Sequence, residues 1–174
     1  IKFIFFPLLN LVTGTSLPLA IVESCSMYHS GNMVGNFDNW WERHESKYQT
    51  FDIDKTEFQD FTLKKGFSKG DIIFIVRARP EKLDVGDIII FNSNQKNPII
   101  HRVIEINEEN GKYIFSTIGD NNEGQLSVET RITEEQLVGK AVLNLLPIVG
   151  WAKLVFYEHL RPEYEKGFCD ESGK

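Results

Sequence analysis

The sequence predicts a mainly β fold of coiled antiparallel sheets, with a partly helical insertion and a C-terminal helix. Three observations predict it. Five short runs rich in Ile, Val and Phe lie close together between residues 71 and 150, with no helix-length spacer between them, which argues against βαβ units. Gly-Asp marks a strand boundary at 70–71, 86–87 and 119–120, and the unequal spacings make these turns, not repeats. Residues 31–69 break the pattern, being aromatic and charged with little period.

The chain begins at Ile1, so a preceding segment is expected. Residues 1–16 open with IKFIFFPLLNLV, apolar apart from Lys2 and Asn10 and interrupted by Pro7. A spanning helix needs about 20 such residues, so this stretch is too short by itself. A membrane-anchor remnant, a signal-peptide core and a buried segment all fit it.

Residues 17–150 read as the main β domain. LPLAIVES (17–24) is β-rich and runs directly into ESCSMYHSGN. The insertion at 31–69 reads as helical around Asn39–Tyr48. Its Trp40 and Trp41 either pack it onto the body or sit at a membrane interface. Strands are then expected at DIIFIVRA (71–78), GDIIIFNS (86–93), PIIHRVIEI (98–106), KYIFSTI (112–118) and GKAVLNLLPIVG (139–150). Glu109-Asn110-Gly111 joins the third and fourth as a hairpin. Residues 151–174 form a tail with apolar positions at 151, 154, 155 and 156, an amphipathic or docked helix.

Composition narrows the function classes. The 174 residues are 41% hydrophobic and 25% charged, as in a globular chain. A net charge of −6 argues against a nucleic-acid partner, which would require a basic face. Lys64, Lys65 and Lys69 read as a solvated loop. Cys25 and Cys169 have no metal-ligand spacing, and their number leaves the redox compartment open.

The chemistry is expected around Ser24 and Ser26. In an extended segment these share one face and Cys25 points away. Serine needs a base to become a nucleophile and a donor to stabilise the oxyanion. Of the four histidines, His29, His44 and His159 lie in polar or charged surroundings. His101 shares one strand face with Ile99 and Val103. A hairpin then brings the TIGDNNEG turn (117–124) near His101, so Asp120 is the expected orienting acid. The order Ser, His, Asp on adjacent β elements gives these otherwise ordinary residues a joint meaning.

The segments VESCSMYHS, GDIIIF, IIHRVI and STIGDNN resemble the successive boxes of type I signal peptidases, in the archaeal and endoplasmic-reticulum branch. That branch has a histidine where bacterial members have a lysine base, here His101. The resemblance spans about 17 to 150 apart from the insertion, and includes LPIVG. The Ser-x-Ser-Met box alone is shared with self-cleaving repressors of the same fold.

The resemblance implies Ser26 as nucleophile, His101 as base and Asp120 as acid, with Ser24 and the Ser26 N–H forming the oxyanion hole. It implies a membrane-associated serine endopeptidase that cuts secretory preproteins after small residues, with its catalytic domain on the non-cytoplasmic side. Membrane lipid and the translocation machinery are the implied partners, and no metal or cofactor is required. A self-cleaving regulator and a catalytically silent binding module are the rival readings. Two positions depart from the pattern. His29 follows Tyr28 where the family has a proline. The second aspartate usually found five or six residues beyond the Gly-Asp box would fall at Gln125 or Leu126, so its role is absent or moved to Glu123 or Glu129.

Overall fold

The β-branched runs pair into one curled, seven-stranded antiparallel sheet, ordered β1-β2-β7-β3-β4-β5-β6. The strands are β1 (Leu19–Ile21), β2 (Ile72–Val76), β3 (Ile88–Phe91), β4 (Ile99–Glu109), β5 (Lys112–Ile118), β6 (Ile132–Thr133) and β7 (Leu137–Leu146). The computed structural model describes residues 2–30, 37–95, 97–163 and 166–170. Ile1, the start of the insertion (31–36) and the end of the tail (171–174) therefore lie outside the described residues.

β3 lies between β4 and β7 and is buried along its whole length. Ile88 and Ile90 pack with Met27, Phe67, Ile73 and Ile75. Ile89 and Phe91 pack on the opposite face with Val103, Phe115 and Ile132. A strand covered on both faces needs apolar residues without alternation, which accounts for the run IIIF. β6, only two residues long, had no recognisable run of its own.

Helix α1 (Lys2–Thr13) precedes β1. It ends where Gly14, at φ +67°, donates its N–H to Asn10 O, a left-handed stop suited to glycine. Among the described residues no helix is long and apolar enough to cross a membrane.

The insertion contributes α2 (Phe37–Gln49) and α3 (Lys55–Asp60). Asp54 caps α3 by accepting from Glu57 N–H at 2.8 Å. Trp40, Trp41, Tyr48, Ile53 and Phe58 pack against Ile104 of β4 and Ile118 of β5. Both tryptophans are buried, so they fasten the insertion to the sheet.

Among the described residues of the tail only Trp151–Leu154 is α-helical (α4). The tail crosses the segment after β1 and the loop before β2 and is tied down chemically. Cys169 forms a disulfide with Cys25, and Arg161 pairs with Glu23 at 3.0 Å. Lys69 is buried rather than solvated, its ammonium meeting Glu158 Oε1 at 2.6 Å beside Trp151. The opposite charge accounts for that burial.

Candidate active site

After β1 the backbone turns, with Tyr28 N–H bonded to Cys25 O at 3.0 Å. The turn leaves Ser24 Oγ and Ser26 Oγ 3.1 Å apart and directs Cys25 into its disulfide. Both serines border a cleft of about 650 Å³, which is also lined by Ala20, Ile100, His101 and Asn122. His101 and Ser26 share this cleft without a hydrogen bond between them. In unliganded sites such bonds often tighten only on substrate binding.

Strand parity decides where the two buried acids act. Arg102 of β4 pairs with Ile118 of β5, and Val103 with Thr117. Alternate residues share a sheet face, so Asp120, two beyond Ile118, belongs with Arg102. His101 points the other way, toward Thr117 and the turn that carries Glu129. Its Nδ1 is bonded to Glu129 Oε1, and Thr117 Oγ1 donates to the same oxygen at 3.1 Å. Glu129 Oε2 accepts from Leu126 N–H at 2.7 Å. The expected Asp120–His101 pair is therefore not formed. Glu129 holds the imidazole because it lies on the His101 face and Asp120 does not.

Asp120 instead anchors a second, fully buried network. Its carboxylate accepts from His29 Nε2 at 2.8 Å, Tyr48 OH at 2.7 Å, and Arg102 Nε and Nη2 at 2.9 and 2.6 Å. Burial by itself would raise the Asp120 pKa, but the Arg102 guanidinium and these donors outweigh it and hold the carboxyl well below the usual carboxylate range. Burial pulls His29 down to about 4 against the opposing pull of Asp120, so His29 is neutral at pH 7. It stacks on Trp40 with ring centroids 3.6 Å apart. His29 is thus engaged away from the cleft and does not compete with His101. His44 is held against the Trp40 carbonyl and ring.

The turn at 119–122 joins the two networks. Asn121 N–H donates to Ser26 O at 2.8 Å, and Asn121 Nδ2 to Cys25 O at 3.2 Å. Gly119 packs so closely that an added Cβ would lie 2.9 Å from His101 Nε2. Lys47 and the disulfide escaped sequence reasoning, and Glu129 was not matched to His101. Only Glu129 had a signal, as one of two acids able to replace the missing aspartate. Among the described residues no group of three or more His, Cys, Asp or Glu is arranged to hold a metal ion.

The antiparallel β scaffold thus brings a serine pair and a carboxylate-bonded histidine to one cleft. The chain is 31% identical over 114 residues to the signal peptidase complex catalytic subunit SEC11C of Homo sapiens. It is 32% identical over 110 residues to signal peptidase complex catalytic subunit SEC11 of Candida tropicalis. Each match covers 59% of this chain, and 57% and 65% of those relatives respectively. The chain thus spans less than two thirds of the curated relatives it matches. No family model matches it. The chain is thus similar to eukaryotic signal peptidase catalytic subunits, the branch its four boxes resemble.

Proposed function

We propose that this chain is a serine endopeptidase that removes signal peptides from secretory preproteins. The observation that carries the reading is the cleft bordered by the Ser24–Ser26 pair and by His101 with its Glu129 partner. Similarity to signal peptidase catalytic subunits supplies the substrate class.

In this mechanism His101 carries its proton on Nδ1, donated to Glu129, and its Nε2 lone pair is the base. Ser26 Oγ gives its proton to Nε2 as it attacks the carbonyl after a small residue. The oxyanion receives the Ser24 hydroxyl and the Ser26 backbone N–H. His101 then returns the proton to the leaving amine, and a water molecule releases the acyl group by the same proton route. Glu129 keeps the imidazole in this tautomer and stabilises the imidazolium formed at each step.

The protein works at a membrane, on its non-cytoplasmic side. Exposed apolar side chains on α1 (Leu8, Leu11, Val12) and in the tail (Val155, Phe156, Leu160) support contact with lipid. The Cys25–Cys169 disulfide supports an oxidising compartment, since such bonds are rare in the cytosol. Secretory preproteins are the substrates, and the translocation machinery that delivers them is the expected neighbour. Incubation of a model preprotein in detergent with wild type and Ser26→Ala tests the reading. Cleavage after a small residue, lost in the variant, is expected; cleavage unchanged in Ser26→Ala would refute it.

A further inference from the structure

We infer that Lys47, from the helical insertion, is a positioning residue for the nucleophile segment, acting through the 119–122 turn. Its ammonium donates to three carbonyls of that turn: Asp120 O at 2.6 Å, Asn122 O at 2.9 Å and Gly119 O at 3.3 Å. The same turn holds the backbone of Cys25 and Ser26 through Asn121. Gly119 lies against His101, and Asn122 lines the cleft. One side chain therefore sets the height of a turn that touches both the nucleophile segment and the base.

The insertion is built to present this lysine. Trp40 stacks on His29, which bonds Asp120, and Tyr48 bonds Asp120 directly, so α2 is anchored twice on the turn's own carboxylate. Charge-assisted bonds to carbonyls are about twice as strong as neutral ones, and a neutral side chain would leave three carbonyl dipoles without their cation. The groups around Lys47 are Asp120, Arg102, His44 and the Tyr48 ring. Burial lowers the amine to about 8, with Asp120 opposing, so the charge persists at pH 7. The insertion is then part of the catalytic apparatus and not an ornament on the sheet.

This inference rests on the serine-peptidase reading, and its test separates the two. Preprotein cleavage is measured for wild type, Lys47→Met and Lys47→Arg, with melting midpoints and amide hydrogen exchange at Asn121. Misplacing catalytic groups by about 1 Å can cost up to 10²-fold, so Lys47→Met is expected to lower kcat about tenfold. KM should stay unchanged, Lys47→Arg should restore kcat, and exchange at Asn121 should quicken in Lys47→Met alone. Unchanged kcat in Lys47→Met would overturn the inference and leave the peptidase intact. Unfolding of Lys47→Met at the assay temperature would overturn it too, by making Lys47 a stability residue. Absence of cleavage by wild type would overturn the functional reading and this inference with it.

Discussion

His29 Nε2 donates to Asp120 Oδ2 across 2.8 Å, and both side chains are sealed from water. The pair has a pH signature. Burial lowers His29 from 6.5 to about 4 in the folded protein, so between those values the unfolded chain binds more protons. Stability is then fully present above pH 6.5 and is lost as pH falls toward 4. At about 1.4 kcal/mol per pKa unit, the loss is roughly 3 kcal/mol. Denaturant midpoints measured from pH 7 to 4 should fall accordingly, and His29→Gln should flatten the slope between 6.5 and 4.

Asp120 is expected to matter for folding before chemistry. Asp120→Ala removes the only carboxylate bonded to Arg102 among the described residues and leaves that cation buried. Breaking such a pair typically costs about 3–5 kcal/mol. Chemical denaturation should show that loss. A fully stable Asp120→Ala with depressed activity would instead return Asp120 to a direct catalytic role.

Glu129 should behave in the opposite way. Glu129→Gln keeps the shape of the side chain but favours the wrong imidazole tautomer, and the corresponding change in a Ser-His-Asp triad lowers kcat by about 10⁴. A comparable loss of preprotein cleavage is expected, with KM little changed and the fold retained by circular dichroism. Activity near wild type in Glu129→Gln would remove it from the site.

The disulfide closes a separation of 144 residues between Cys25 and Cys169. Removing a native disulfide typically costs about 2–5 kcal/mol. Cys169→Ser, or a dithiol reductant with wild type, should lower the denaturant midpoint, and reductant should not lower Cys169→Ser further.

The sheet was largely legible because β3, β4 and β5 are runs rich in β-branched and aromatic residues, bounded by Gly-Asp and Asn-Gly turns. His101 stood out as a polar residue on an apolar strand face, and the serine pair only through its order with His101 and Asp120 along the chain; the structure sets the serines and His101 on one cleft. What stayed hidden depends on register. Asp120 and Glu129 are both acids beyond β5, and only the pairing of Arg102 with Ile118 and Val103 with Thr117 decides which one shares the His101 face. Lys69 looked solvated because its partner, Glu158, lies 89 residues away. The Cys25–Cys169 bond and the reach of Lys47 to the 119–122 turn likewise join segments that no local pattern connects.

The central claim is that Ser26 and His101 act as one unit, and the kinetics of the double variant test it most directly. Cleavage of a model preprotein would be measured for Ser26→Ala, His101→Ala and the two combined. Groups that act as a unit lose their catalysis together. Each single variant should therefore fall by an order of 10⁴ or more, and the double variant no further. Losses that multiply in the double variant, or cleavage that survives His101→Ala, would contradict the account.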